Sequence, residues 1–271
     1  LKNALLQGKY ENLPIEQYHA DSAVGSSSLK MLARKTPLHL RGQTYEAKPA
    51  FDFGTALHTM VLEPHDNHKI IRGPEDRRGL KWSKLKEETD AAGKLLLTSS
   101  DYDDVLLAAE SIRTHELASS LLTGNVKAEI SLFHEIAGQR VKIRPDLVNF
   151  DGNVIVDIKT CRDASPRAFA KSCYDYGYQI QASYYKYVWE DYHGTALDGF
   201  IFLAVESFKP FAVALYELDE DSLIEGMNLV HRGLKEYREC RETNSWPGYS
   251  QKIQTIRIPD YGFQTLGLEN D

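Results

Sequence analysis

Nothing in the sequence approaches the roughly 20 consecutive apolar residues that a membrane-spanning helix needs, so no such helix is expected. The opening stretch LKNALLQGKYENLP lacks the apolar segment of a secretory leader, and the expectation is a cytoplasmic protein with no membrane partner. Cysteine is scarce. Cys161, Cys173 and Cys240 make an odd count without CxxC spacing, which excludes a disulfide framework and a cysteine zinc site and fits a reducing compartment. An excess of positive charge is missing too. With 32 Lys and Arg against 39 Asp and Glu the formal net charge is −7, which counts against a general nucleic-acid binder, a class that is usually basic. The signs are nevertheless segregated: Lys and Arg gather at 69–94 and 140–171, acids at 217–242. No internal repeat or low-complexity segment appears. What is present, 42% hydrophobic and 26% charged residues in 271, suffices for one sizeable core, or one core with an appended lobe.

Periodicity and breakers give the element order. After a polar lead-in, Ser26, Ser27 and Ser28 offer N-caps to a helix carrying Leu29, Met31 and Leu32, interrupted by Pro37. In PAFDFGTALHTMVLEP, Phe53, Ala56, Leu57, Met60 and Val61 fall at helical spacing and Pro64 closes the run. The basic stretch 67–93 has two readings. It is either a mobile segment that contacts phosphates through Arg77, Arg78, Lys81 and Lys84, with Trp82 able to stack on a base, or a solvated lysine-rich helix. A helix is predicted over 98–122, capped by Ser99 or Ser100 and stopped by Gly124. A strand over 126–135 leads into a hairpin, then a helix starts at Ser165-Pro166 with Arg162, Arg167 and Lys171 on its basic exposed side. The tyrosine-dense stretch 174–193 reads as a helix whose rings mostly pack in the core. Strands at 198–206 and 211–218, an acidic amphipathic helix at 219–243 and an irregular tail from Trp246 complete a mixed sheet covered by helices.

The chain is organised around RVKIRPDLVNFDGNVIVDIKT. Two alternating runs, 141–148 and 154–158, flank Asp151-Gly152, a dipeptide that favours a two-residue hairpin turn. That register sets Val148 opposite Ile155, Asp146 opposite Asp157 and Arg144 opposite Lys159, each pair on one face with Cβ atoms roughly 5 Å apart. Two carboxylates so placed repel unless a cation sits between them. Hard oxygen ligands suit Mg²⁺ or Mn²⁺, which polarises a phosphodiester and activates water, while Lys159 can orient that water or offset developing charge. A bare D-x-K is common on surface hairpins. Here it ends an apolar strand and has a second aspartate at a register that can meet it. Glu129 can reach such a metal or be an ordinary strand glutamate. Gln181, four residues before Tyr185 on one helix face, can orient a phosphate through its amide. His58, next to core-facing Leu57, reads on its own as a core histidine bonded to a carbonyl, and since imidazole suits Mn²⁺ better than Mg²⁺ the chemistry alone does not promote it to a ligand.

The spacing of Pro145-Asp146 and Asp157-Ile158-Lys159 resembles the PD-(D/E)XK nuclease signature. With GTALHTMVLEP, AEISLF, RPDLV, VDIKT and YQIQASYY in this order, the chain resembles the RecE-type exonuclease (exonuclease VIII) domain. The resemblance implies an α/β restriction-endonuclease-like core, a central mixed β-sheet flanked by α-helices. It implies a single domain over 1–271, with its core at about 26–247, a lead-in at 1–25 and a tail at 248–271. It implies His58, Asp146, Asp157 and the Ile158 carbonyl as metal ligands, Lys159 serving the water, Glu129 at the metal edge, and Gln181 with Tyr185 in support, Tyr185 also facing DNA. The implied activity is Mg²⁺-dependent 5′→3′ degradation of linear double-stranded DNA, with Mn²⁺ able to substitute. It leaves a 3′ overhang for a single-strand annealing protein (RecT-type), and the enzyme is a ring-shaped homotetramer, bacterial or phage-encoded. An endonuclease on the same fold and a non-catalytic DNA-binding module are the alternatives.

Overall fold

The computed structural model describes residues 5–43 and 53–259. Positions 1–4 of the lead-in, 49–52 of the second helical motif and 260–271 of the tail lie outside the described residues. The first half of the chain is mostly helical. It runs through β1 (Gly8–Tyr10), α1 (Ile15–Ala20), α2 (Ser26–Arg34), α3 (Pro37–Arg41), α4 (Phe53–Leu62), β2 (Ile70–Arg72), α5 (Leu80–Ala91), β3 (Leu95–Leu97), α6 (Ser99–Thr114) and α7 (Glu116–Leu121). A run of strands follows: β4 (Val126–Ala128), β5 (Ser131–Ile136), β6 (Gln139–Ile143), β7 (Leu147–Asn149) and β8 (Val154–Cys161). The chain then continues through α8 (Pro166–Tyr176), α9 (Tyr178–His193), β9 (Gly199–Glu206), β10 (Val213–Tyr216) and α10 (Glu220–Thr243).

The main sheet has the order β10-β9-β8-β7-β4 and is mixed, with β8 parallel to β9 and every other pair antiparallel. Helices cover both faces. Ile155, Phe200, Phe202 and Ala204 pack with Ile180, Tyr184 and Val188 of α9 and with Val230 and Leu234 of α10. Val154, Val156, Ile158, Leu203 and Val205 pack with Leu57 of α4 and with Val105 and Ala108 of α6. A strand buried on both faces has no polar side to show, which is why VIVDI reads as almost continuously apolar. Alternation then sends Asp157 toward the α9 face and leaves Ile158 on the α4 face. On α10, Gly226 allows close approach to α9, since a Cβ there would lie 2.3 Å from the Gln179 carbonyl oxygen.

Several expectations about local structure are corrected. The run 141–148 is two strands. β6 pairs with β5 in a second sheet, β1-β5-β6, whereas β7 pairs with β8. Pro145 sits in the break, with no N–H to give a ladder. Val148 does face Ile155, but the ladder stops at Leu147 opposite Val156, so Arg144 does not face Lys159. The turn spans four residues between Asn149 and Val154, and Asn149 Oδ1 accepts from Gly152 N–H at 2.8 Å. The strand 126–135 is interrupted at Glu129, whose φ of +54° is uncommon for a side-chain-bearing residue. Gly25, not a serine, stands at the N-cap of α2, and Thr98 Oγ1, not Ser99 or Ser100, accepts from Asp101 N–H to cap α6. The helix over 98–122 breaks at His115, whose ring accepts from Ala118 N–H. The basic stretch 67–93 is helical in its second half, as α5, whereas β2 and an irregular segment over 73–79 make up most of its first half. The lead-in is built into the second sheet: β1 pairs with β5, and buried Asp21 accepts from the N–H groups of Leu5 and Ala23. Among the described residues no helix is long and apolar enough to cross a membrane.

Candidate metal centre

Four elements converge at the Asp157 end of β8. The break before β7 presents Asp146, and its Oδ2 accepts from Ile158 N–H at 2.8 Å. From the opposite face α4 brings His58, with Nδ1 3.6 Å from Asp146 Oδ2 and Nε2 3.0 Å from the Ile158 carbonyl oxygen. The left-handed turn at Glu129 swings its carboxylate into the same space, so that His58, Glu129 and Asp146 each offer a ligand atom within 4.8 Å of the others. Arg144 Nε donates to Glu129 Oε2 at 2.6 Å and holds that carboxylate from behind.

Asp157 is wholly buried. Its Oδ1 accepts from Gln181 Nε2 at 2.6 Å. Its Oδ2 lies in ion-pair contact with Lys159 Nζ and accepts no directed hydrogen bond. Gln181 in turn accepts at Oε1 from Lys30 Nζ at 2.7 Å. An ammonium only donates and a carboxylate only accepts, so Lys30 on one side and Asp157 on the other fix which way the amide points. Lys159 and Lys30 also flank Tyr178, with ammonium-to-ring-centre distances of 4.9 and 5.4 Å.

The electrostatics are those of a site short of positive charge. Burial, and then the neighbouring Asp157, push the Asp146 carboxyl up to about 7. Burial also raises Glu129, against the pull of Arg144. For Lys159, burial works against the charge but Asp157 and Asp146 outweigh it and hold its pKa above the ordinary lysine value. Lys30, beyond the aspartates, is lowered to about 8 by burial and then by Lys159. A divalent cation fits this donor set. It would relieve the repulsion between Asp146 and Asp157, which the single Lys159 ammonium beside Asp157 Oδ2 only partly offsets.

The sequence-predicted residues divide into those that meet here and those that do not. His58, Glu129, Asp146, Asp157, Ile158 and Lys159 come together. Gln181 reaches Asp157, but both ends of its amide are engaged by protein, so it steadies the aspartate rather than facing a phosphate. Tyr185 is buried, edge-on to Phe200, with its hydroxyl donating to the Arg144 carbonyl at 3.3 Å, so the expectation that it faces DNA is corrected. A cleft of about 470 Å³ opens over the site, lined by His58, Glu129, Arg144, Lys159 and Tyr178 among others, and none of Arg77, Arg78, Lys81 or Lys84 lines it. Arg162, Arg167 and Lys171 are exposed where β8 runs into α8, and Lys171 pairs with Asp175. Sequence reasoning missed Lys30, Arg144 in its role on Glu129, and Tyr178. For Lys30 the available signal was a lysine one turn into a helix opened by Gly-Ser-Ser-Ser, which says nothing of a partner 151 residues away.

Residues 26–259 match a family model described as a PDDEXK-like domain of unknown function (DUF3799). Among solved structures, a candidate exonuclease from Eubacterium rectale is 14% identical, aligns over 92% of this chain and 97% of its own, and superposes with a TM-score of 0.63. At that identity the likeness is one of fold. A phage-related exonuclease from Haemophilus somnus 129PT, 12% identical over 82% of this chain and 96% of its own, has a TM-score of 0.38, too low to bear on the fold. No curated protein matches the sequence.

Proposed function

The chain belongs to the PDDEXK-like DUF3799 family, and from that premise and the site's geometry we propose that it is a Mg²⁺-dependent exodeoxyribonuclease. Its substrate is the end of linear double-stranded DNA, degraded 5′→3′ to leave a 3′ single strand. The observation that carries the reading is the His58–Glu129–Asp146 cluster beside the buried Asp157–Lys159 pair, open to one cleft. His58, Asp146, Asp157 and the Ile158 carbonyl would hold the ion, with Glu129 at its edge. Bound there, the ion would supply polarisation of the phosphodiester and a lowered pKa for the water, so that hydroxide is available as the nucleophile. Imidazole among the ligands makes Mn²⁺ a workable substitute.

The chain's own residues do the rest. Lys159 carries its charge where the attacking oxygen and the phosphate meet, and Asp157 keeps its ammonium in place. Gln181, oriented by Lys30, occupies Asp157 Oδ1 and leaves Oδ2 to the Lys159 ammonium. Arg144 fixes Glu129. The proposal extends to a single-domain, cytoplasmic enzyme that works as a ring-shaped homotetramer and hands its 3′ strand to an annealing protein. One assay tests the core of it: end-labelled linear duplex and covalently closed circular duplex, each with Mg²⁺. Release of label from 5′ ends with the circle left intact is the expected result. Cutting of the circle would replace the reading with an endonuclease, and binding without cutting of either would replace it with a DNA-binding module.

A further inference from the structure

Beside the metal cleft, and sharing Thr160 and Tyr178 with it as a common wall, lies a second hollow of about 360 Å³. We infer that this hollow seats one unpaired nucleotide of the substrate strand, with Tyr176 as the platform on which its base stacks. The inference rests on the nuclease reading above and adds to it a base-binding subsite next to the scissile phosphate.

The hollow's size falls at the lower end of the roughly 300–1,000 Å³ typical of small-ligand sites. Its aromatic wall is a stack that begins in the core and ends in solvent. Phe202, fully buried, stacks on Tyr178 with ring centres 5.6 Å apart and planes at 28°, and Tyr178 stacks on Tyr176 at 5.7 Å and 30°. Tyr176 is 60% exposed, so the stack stops one ring short of being covered. Residues two apart on a continuous helix do not face each other. Tyr176 and Tyr178 do so because Gly177 between them, with φ of +66°, ends α8 and starts α9 in the left-handed conformation. The ring nearest the metal centre is therefore tied to the one at the surface. Tyr178 is held on one side by the buried core and approached by Lys159 Nζ at 4.9 Å, so a phosphate drawn to Lys159 lies within reach of a base on Tyr176.

The charge around the hollow suits a nucleotide rather than an apolar partner. Arg162 lines it, is exposed, and makes no ion pair among the described residues; Arg167 on α8 is likewise exposed and unpaired there. The one acid in the lining, Asp163, is engaged in accepting from Ser165 N–H at 2.8 Å. A ring backed by two others is a rigid π-face that any base can use, which gives stacking without sequence preference. A base inside a duplex already has both faces covered, so the occupant is an unpaired nucleotide.

The test places 2-aminopurine, one position at a time, at the three nucleotides on each side of the scissile phosphate, with DNA bound in Ca²⁺ to hold cleavage back. Quenching at one position is expected with the wild-type chain, lost with Tyr176→Ala and kept with Tyr176→Phe. An abasic nucleotide at that position should weaken wild-type binding about tenfold and leave Tyr176→Ala binding unchanged, because the partner it removes is already gone. Equal abasic penalties in both proteins, quenching that survives Tyr176→Ala, or quenching only at a paired blunt end would each overturn the subsite. Should Tyr176→Ala fail to fold, Tyr176→Leu takes its place, and absence of an abasic penalty in the wild type alone would be decisive against the inference. Cleavage in Mg²⁺ without Tyr176-dependent quenching removes the subsite and keeps the nuclease. Quenching without cleavage removes the nuclease reading and keeps the subsite.

Discussion

Around Asp157 the charged groups are buried or half-buried and their partners come from far along the chain: Lys30 from α2, His58 from α4, Glu129 from a strand break, Gln181 from α9. Across 69–94 most cations are exposed, and several meet acids on the same surface, Lys69 with Asp66, Arg72 with Asp103, Arg77 with Asp101 and Lys86 with Asp90. The two regions use their charges differently. A buried charge has no water to replace a lost partner, so removing one member strands the others. An exposed pair is already half-solvated, and losing it changes little. Function that depends on a fixed geometry belongs to the first kind of region. Long-range attraction of a polyanion can be served by the second.

The largest effect should follow from breaking the buried region at its centre. Asp157→Asn keeps the shape and the Gln181 contact but removes the charge that faces Lys159 and presses on Asp146. Cleavage is expected to fall by more than about a hundredfold, the upper range seen when a group one step removed from a metal is lost. Duplex binding in Ca²⁺ should persist. Single-turnover kinetics on linear duplex measure it, and retention of more than a few per cent of the rate would show that Asp157 is scaffold.

Lys30 comes next, since it bonds to no metal ligand, does not itself line the cleft and acts through Gln181. Lys30→Met removes the donor that holds the amide oxygen, so Gln181 can turn its carbonyl toward Asp157 and repel it. A drop in kcat of about 10–100-fold is expected, with KM for DNA little changed and partial recovery in Lys30→Arg. A change confined to thermal stability, with kcat intact, would mean that Lys30 only packs.

The third prediction uses pH to separate the regions. The Asp146 carboxyl sits at about 7 because of burial and then Asp157, and a metal ligand must give up its proton. Below about pH 7, Mn²⁺ affinity should therefore rise about tenfold per pH unit and then level off above it. The sign for folding is the reverse. A carboxyl whose pKa is raised in the native state stabilises the metal-free protein at low pH, and that contribution is lost as pH climbs from the ordinary carboxylate value through about 7. Titration calorimetry and thermal melts from pH 5 to 8 read both, and an Asp146→Asn variant should flatten them. A pH-independent Mn²⁺ affinity in the wild type would mean that Asp146 is ionised throughout and that Asp157 does not press on it.

These differences also decide what could be read from the sequence. The facing of Val148 and Ile155 was legible because alternation and an Asp-Gly turn are local signals that agree. The break at Pro145 was legible in principle, since proline cannot serve a ladder, but the apolar run on either side masked it. Nothing local marks Glu129 for a φ of +54°; that conformation is imposed where β4 and β5 part to join different sheets. Asp157 and Lys159 announced themselves by interrupting an apolar strand. His58 looked like a core residue and became a candidate ligand only through the resemblance to a family. Lys30 left no trace, because what gives it meaning is an amide on another helix.

The smallest effect is expected where the charge is solvated. Replacing Arg77, Arg78, Lys81 and Lys84 together by alanine removes four cations from the surface of and before α5, yet they are not equivalent. Arg77 is paired with Asp101 at 2.6 Å and Arg78 lies 3.6 Å from Asp76, whereas Lys81 and Lys84 make no ion pair among the described residues. A cation already matched by a carboxylate must give that partner up before it neutralises a phosphate. Each phosphate contact steepens the log–log dependence of binding on salt by nearly one. If all four met phosphates the slope would flatten by up to about four in the variant; on the pairing seen here it should flatten by no more than about two. Mn²⁺-induced stabilisation should be the same in variant and wild type, because none of the four lines the metal cleft. Fluorescence anisotropy over a salt series measures the slope. A change near four would show that DNA displaces Asp101 and Asp76 and that this surface is a principal contact. No change would leave the approach of the duplex to Arg162, which lines the hollow beside the metal cleft, and to exposed Arg167 on α8.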